Sequence, residues 1–172
     1  TNLDYMMKLD KDRLLYNYRR IAGLDTKGAK SYGAWIAPES GGSGQFETHY
    51  VIALAKASQT MPEYSYNGET VLQRLNYMVT AMRECQVAFA AKYPAEAGYL
   101  GAIIIDQYDA LAEGRDHASD GSNIWVPWYF HHKTLEMALD VYNCAADESL
   151  RAVGLEILKD AADWTYNKMS SY

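Results

Sequence analysis

Apolar side chains recur at steps of one, three and four residues along the chain, and the pattern is clearest in its middle. It runs through Val71, Leu72, Leu75, Met78, Val79, Met82, Cys85 and Phe89. This spacing puts the side chains on one face and predicts a long amphipathic helix over about residues 69–92. Because Cys85 lies on that face, we expect it to be a small buried hydrophobic residue rather than a reactive thiol.

Four more segments have helical periodicity. They predict helices over about residues 9–22, 46–58, 127–143 and 148–169. Asp10 stands where an N-cap acceptor belongs, Gly23 where helices often end, and Pro127 suits a first turn because it lacks an N–H. In the helix over 127–143, the pattern places His132 on the apolar face together with Leu135, Leu139 and Tyr142.

The connections between these helices are long. Residues 24–46 are rich in glycine and predict an extended loop, which in a compact domain is often functional. Residues 98–105 are apolar and short, typical of a strand or of an extended approach to a site, and 106–123 are polar with helical character near 108–113. Strands and helices do not alternate, which argues against a nucleotide-binding α/β sheet. We predict an all-α fold of antiparallel helical hairpins.

Composition narrows the function. The 172 residues suit one domain or a fragment of one, and the net charge of −6 argues against nucleic acid as a partner. No apolar run approaches the length of a membrane span, and two cysteines are too few for a disulfide framework. The chain has 15 Tyr and 4 Trp but only 3 Phe, so most of its aromatic rings have a polar edge. Such rings suit either a sugar-binding cleft or an ordinary core. Nothing in the sequence assigns a cellular compartment.

Candidate catalytic groups are many, and their spacing selects none. The carboxyl groups in or beside loops are Glu39, Glu47, Asp106, Asp109 and Glu113. Glycoside hydrolysis needs two carboxyls, or one acid and another nucleophile, flanking the sugar bond, and no pair stands out. Cys144 has no identifiable base, and no Cys or His pair has the spacing of a zinc site. His49 begins a helix after the glycine loop, where it either binds a ligand or contacts backbone. His132 is either a ligand-binding or a core histidine.

Several blocks in order resemble glycoside hydrolase family 127, whose members are β-L-arabinofuranosidase-like enzymes. The most specific block is Ile124-Trp125-Val126-Pro127-Trp128-Tyr129 followed by His132-Lys133. The other blocks lie within residues 12–24, 44–55, 75–102 and 162–167, so the resemblance covers nearly the whole chain. It implies an (α/α)6 toroid, of which residues 1–172 would be the N-terminal half.

The resemblance also implies where the chemistry lies. In the family, the general acid/base glutamate and the cysteine nucleophile lie well downstream, and the cysteine belongs to a zinc site. We therefore expect no catalytic residue, metal ligand or cofactor in this chain. Zinc is expected only in a full-length enzyme. The resemblance implies that His132 and His49 contact a carbohydrate substrate. We add Tyr99, Trp128 and Tyr129 as aromatic walls of the cleft.

Two other functions stay open on the sequence. One is a non-catalytic helical module that binds carbohydrate, and the other is a protein-interaction domain. Because half a toroid leaves the flanks of its end helices uncovered, we also expect self-association or packing against a C-terminal half.

Overall fold

The structure is a computed structural model that describes residues 1–40 and 42–172, with the backbone alone for Glu39. Within these residues the chain forms seven α-helices. They are α1 (Asn2–Lys8), α2 (Lys11–Ala22), α3 (Gln45–Thr60), α4 (Val71–Lys92), α5 (Asp106–Glu113), α6 (Pro127–Cys144) and α7 (Glu148–Ser170). A single small hairpin pairs β1 (Ser65–Tyr66) with β2 (Glu69–Thr70), and short 3₁₀ turns lie at Ala34–Ile36, Pro38–Ser40 and Pro94–Glu96. The predicted all-α class is confirmed.

The helix ends follow local signals in the sequence. The side chain of Asp10 accepts hydrogen bonds from the backbone N–H groups of Asp12 and Arg13 and so caps α2. Gly23 ends that helix in the left-handed conformation. Thr70 caps α4 through the N–H of Gln73, and the Gln73 side chain accepts from the N–H of Thr70 in return.

The helices form two stacked hairpins. Helix α4 packs against α2, α3 and α7, while α6 packs against α3 and α7. The end of α3 lies beside the start of α4, because the N–H of Leu72 donates to the carbonyl of Pro62. Helices α3 and α6 run parallel: Lys56 pairs with Asp140 at 3.1 Å, and aromatic residues at both N-terminal ends lie close together.

The core forms where these helices meet. Along α4 the predicted apolar face is buried apart from Leu72, which is half-buried, and Cys85 is 2% exposed. In α7 the side chains of Leu150, Ile157 and Trp164 are buried. Each large apolar side chain taken fully out of water contributes about 1.5–3 kcal/mol, so this shared core provides most of the stabilisation of the hairpins.

The buried face of α6 differs from the prediction. The buried residues of this helix are Pro127, Phe130, His131, Thr134, Met137, Ala138 and Val141. His132 is exposed, and Leu139 and Tyr142 of the predicted core face are 45% and 42% exposed. The prediction was wrong by about one residue of helical rotation. Since α6 contacts α3 on one side and α7 on the other, the helices around it decide which face is buried.

The connections also differ in detail from the sequence pattern. Residues 98–105 form no strand; they run irregularly, with Leu100, Ala102 and Ile103 buried. Helix α5 begins two residues earlier than predicted, and α1 was not predicted, although Thr1 and Asp4 make a capping box there. In the part of the chain that the structure describes, no helix is long and apolar enough to cross a membrane.

Candidate functional site

The loop before α3 is tied firmly to helix α2. Buried Asn17 of α2 donates one amide hydrogen to the carbonyl of Ile36, at 2.7 Å, and another to Oγ of Ser43, at 2.8 Å. The same carbonyl also accepts from Ser31 and from Ser43, at 2.7 and 3.0 Å. Three donors on one carbonyl fix the backbone next to Trp35. The glycine-rich segment is therefore anchored, at least over its described residues.

Four exposed aromatic side chains gather where this loop meets the N-terminal ends of α3 and α6. We call Trp35, Phe46, Trp125 and Tyr129 the aromatic cluster; their side chains are 60%, 44%, 48% and 40% exposed. The ring centres of Trp35 and Trp125 lie 5.5 Å apart, and those of Trp35 and Phe46 lie 6.4 Å apart. Aromatic rings left in water at one place are typical of a binding surface.

Two exposed histidines lie one helical turn beyond this cluster. His49 follows Phe46 by three residues on α3, and His132 follows Tyr129 by three residues on α6, so each pair shares a helix face. The rings of Tyr129 and His132 are 6.3 Å apart, with planes 31° from parallel. We call His49 and His132 the histidine pair.

The two histidines lie near one carboxylate. Glu136 of α6 accepts a hydrogen bond from Nζ of Lys133 at 2.6 Å, and this bond is the main cause that lowers the pKa of Glu136. His132 precedes Glu136 by one helical turn on α6, and His49 lies on the adjacent helix α3. His49, Tyr129 and His132, all three predicted from the sequence as site residues, are exposed on the adjacent helices α3 and α6.

Tyr99 and Trp128, predicted as walls of the cleft, do not join this surface. Tyr99 is 1% exposed, its hydroxyl donates to the carbonyl of Ile103 at 2.7 Å, and burial raises its pKa. Its ring lies 4.8 Å from that of Trp164. Trp128 is half-buried, 4.9 Å from the ring of Tyr108. Both pack in an aromatic core between α5, α6 and α7, with Tyr99 buried and Trp128 half-buried, away from the surface of the histidine pair.

His131 takes the core position that the sequence pattern gave to His132. It is 2% exposed, and its Nε2 lies 2.7 Å from Oγ1 of Thr165 and 3.3 Å from the carbonyl of Ala161. Burial lowers its pKa to about 4, which keeps the ring neutral. Its surroundings are the rings of Tyr99, Tyr108, Trp128 and Trp164. His131 is thus a packing residue of the hairpin.

Of the candidate acids, Glu47 has the most unusual surroundings. It is 1% exposed beneath the loop, and its Oε2 accepts the N–H of Gly44 at 2.9 Å. Burial raises its pKa to about 7, and its other oxygen has no hydrogen-bond partner among the described residues. The carboxyl does not reach the surface that carries the histidine pair.

The remaining candidate acids are held by cations. Arg115 bonds Asp106 and lowers its pKa to about 2, and Arg115 also pairs with Glu113 at 2.7 Å. Asp109 pairs with Lys168 at 2.8 Å. The side chain of Glu39, a further candidate, lies outside the described residues, as does Gly41 of the glycine run.

The cysteines do not form a metal or nucleophile site with the residues described. Cys85 is buried in the core, where burial raises the pKa of its thiol to about 12, and Cys144 is half-buried at the end of α6. No three His, Cys, Asp or Glu side chains of the described chain converge as metal ligands.

Three of the four residues of the aromatic cluster were not predicted from the sequence as site residues. Trp35, Phe46 and Trp125 were not singled out, although a tryptophan inside a glycine-rich loop was a signal for it. Large aromatic residues are usually buried, and only the fold shows that these three are exposed.

Comparison with known proteins gives the family. The model of the β-L-arabinofuranosidase GH127 catalytic domain matches residues 1–172. A search of curated proteins finds no significant match. The family match covers the whole length that carries the anchored loop, the aromatic cluster and the histidine pair. The chain belongs to the GH127 family of β-L-arabinofuranosidase catalytic domains, glycoside hydrolases by family.

Proposed function

We propose that this chain supplies the sugar-contacting part of a glycoside hydrolase that acts on L-arabinofuranosides or related plant glycans. The observation that carries the proposal is that His49 and His132 are exposed on two adjacent parallel helices and that the exposed ring of Tyr129 lies 6.3 Å from that of His132. A neutral imidazole offers one donor and one acceptor to sugar hydroxyls, and a tyrosine ring offers an apolar face to ring C–H groups. The three side chains hold and orient a sugar.

The same surface offers no unpaired carboxyl group to act as the acid among its described residues. A glycosidase acid must be protonated near neutral pH and must reach the leaving oxygen. Glu136 and Asp140 are paired with Lys133 and Lys56, and the lowered pKa of Glu136 keeps it ionised. Glu47 has a suitable pKa but is buried.

We infer that the general acid/base and the nucleophile come from residues beyond this chain. Any zinc that holds a thiolate nucleophile belongs there as well. On this view the chain binds and positions the sugar, and the chain alone is inactive. The substrate partner is a carbohydrate, and the face of α6 that carries Leu139 and Tyr142 is available for packing against a further copy or a C-terminal half.

A surface without an unpaired carboxyl group also fits a second function. A helical module that binds carbohydrate and lacks catalysis would need the same histidine pair and the same aromatic rings. The two functions differ when the chain is joined to the remainder of a GH127 catalytic domain: only the first predicts that arabinose release then depends on His132.

The first experiment is a thermal melt of the chain with L-arabinose, paired with calorimetric titration. At ten times Kd, a ligand specific to the folded state stabilises it by about 1.4 kcal/mol, which raises Tm by about 3–5 °C in a protein of this size. We expect His132→Ala and His49→Ala to abolish most of this shift. His117→Ala, an exposed histidine in the loop before α6, is the matched control and should keep it.

Three results would contradict the proposal. An equal Tm shift in His132→Ala and wild type would mean that the sugar binds elsewhere. Release of arabinose from an aryl arabinofuranoside by the purified chain would mean that its catalytic groups lie within residues 1–172. Absence of a shift with any pentose or hexose would remove the sugar-binding function and favour a protein-interaction domain.

A further inference from the structure

The two most exposed indoles of the chain border one shallow hollow. It has a volume of about 280 Å³ and is lined by Ala34, Trp35, Ser40 and Trp125. The planes of the two indole rings meet at 61°, so they form two walls of the hollow rather than a closed stack. Neither ring is covered by the core, since Trp35 is 60% and Trp125 is 48% exposed.

The backbone under the hollow is fixed before any ligand arrives. Besides the three donors on the Ile36 carbonyl, Oγ of Ser40 donates to the carbonyl of Trp35 at 2.7 Å. A Cβ at Gly42 would lie 2.6 Å from that Trp35 carbonyl and 3.4 Å from the Trp125 ring, so only glycine fits there. A ligand that stacks on a fixed indole loses little free energy to ordering the protein.

The hollow continues into the surface of the histidine pair. The ring of Phe46 contacts Trp35, and Phe46 lies about 4.5 Å along the α3 axis from His49. Trp125, two residues before α6, contacts Phe130, and Tyr129 of α6 contacts both Phe130 and His132. A chain of sugar rings can therefore extend from the histidines across the aromatic cluster to the hollow.

The polar edges of both indoles suit the same ligand. No described residue accepts a hydrogen bond from Nε1 of Trp35 or of Trp125, whereas buried Trp164 donates to Glu96 at 2.7 Å. Each exposed indole thus presents an apolar face for C–H groups and an N–H donor for a hydroxyl. A saccharide ring has both features, and a purely apolar ligand has only one.

We propose that Trp35 and Trp125 form a second saccharide subsite, which holds the next sugar ring of an oligosaccharide whose first ring lies at the histidine pair. This inference rests on the proposed function and adds a preference for chain length. The subsite stacks the second ring on the fixed indoles and contributes nothing to a monosaccharide bound at the histidines.

The test compares two probes, methyl β-L-arabinofuranoside and a β-linked arabinofuranose disaccharide, by calorimetric titration of the full chain. One stacked ring is expected to be worth about tenfold in Kd. The wild type should bind the disaccharide about tenfold more tightly than the monosaccharide. Trp35→Ala and Trp125→Ala should each reduce that ratio towards one without changing monosaccharide binding. Tyr166→Ala, at a residue on α7 that is 74% exposed, is the control and should change neither.

Further measurements guard against indirect effects. Trp125→Phe keeps a ring above Gly42 and should retain part of the preference for the disaccharide. Comparison with this variant shows whether Trp125→Ala loses the preference through a folding defect. In the wild type the disaccharide, and not the monosaccharide, should protect indole fluorescence from acrylamide quenching.

The outcomes separate this proposal from the proposed function. Equal affinity of the wild type for both sugars overturns the subsite and leaves the histidine site intact. Equal loss of both sugars in Trp125→Ala also overturns it, because the indole would then belong to the first ring. A wild type that binds neither sugar overturns both, and the hollow would then fit an aromatic side chain of a protein partner.

Discussion

Burial of the Glu47 carboxyl ties the stability of the fold to pH. Its pKa is raised from 4.5 to about 7, and one pKa unit corresponds to about 1.4 kcal/mol. The unfolded chain ionises this group near pH 4.5, while the folded chain keeps it protonated to about pH 7. The contribution of Glu47 is therefore fully present below pH 4.5 and is lost as the pH rises to 7, for a total of about 3 kcal/mol.

His131 acts in the opposite direction over nearly the same range. Its pKa falls from 6.5 to about 4, so the unfolded chain binds a proton there that the folded chain does not. This contribution is present above pH 6.5 and is lost as the pH falls towards 4. Asp4 and Asp106, whose pKa values are held at about 2 by their hydrogen bonds, titrate below this window.

The two effects cancel between about pH 4.5 and 6.5. In that window the folded state holds one proton on Glu47 and the unfolded state holds one on His131, so we expect a nearly flat stability profile for the wild type. Glu47→Gln removes the contribution of Glu47, so the free energy of unfolding of this variant should rise by about 1.4 kcal/mol for each unit of increasing pH. His131→Gln removes the contribution of His131, and its stability should fall with the same slope.

Urea unfolding at half-unit steps from pH 4.5 to 7.5 measures these slopes. Slopes are compared rather than absolute values, because each substitution also adds a constant loss or gain from packing. Glu136→Gln, which removes an exposed carboxylate already ionised in the window, is the control and should follow the wild type. A Glu47→Gln profile parallel to the wild type would refute the reasoning, since Glu47 would then be ionised in the folded state.

Two further predictions concern packing. Gly98→Ala should reduce the free energy of unfolding by about 2–4 kcal/mol, because the new Cβ would clash with the carbonyl of Asp160 and the backbone φ is +96°. Urea unfolding measures the loss, and an unchanged midpoint would contradict the prediction. In native protein, Ellman's reagent should modify half-buried Cys144 and leave Cys85 unmodified until the chain unfolds, and two thiols titrating at once would show that the Cys85 core opens readily.

Much of the fold could be predicted because its determinants are local. The period of α4, the Asp10 cap and the Gly23 end are encoded within a few residues of each other, and all appear in the structure. The long connections were predicted to be loops, but the conformation of these loops was not predicted. The anchoring of Ile36 depends on Asn17, nineteen residues earlier, and periodicity carries no information on such a contact.

The candidate site could be predicted only in part. His49, Tyr129 and His132 are exposed on the adjacent helices α3 and α6, and their contact with a sugar stays a prediction. Tyr99 and Trp128 were assigned to the same surface because a high content of tyrosine and tryptophan indicates a sugar-binding cleft and an aromatic core equally well. Burial separates them, and burial depends on α5 and α7 packing over these rings.

The two adjacent histidines show why the face of α6 needed the structure. His131 and His132 point about 100° apart, so the rotation of one helix decides which ring is buried. That rotation is set by α7, where a Cβ at Gly154 would lie 2.8 Å from the Val141 side chain and 3.1 Å from the carbonyl of Ala138. The close approach of α7 puts Thr165 beside His131 and gives the buried ring its hydrogen-bond partner. Turning α6 by one residue would bury His132 away from Thr165 and remove the one histidine of this helix that the proposed sugar site uses.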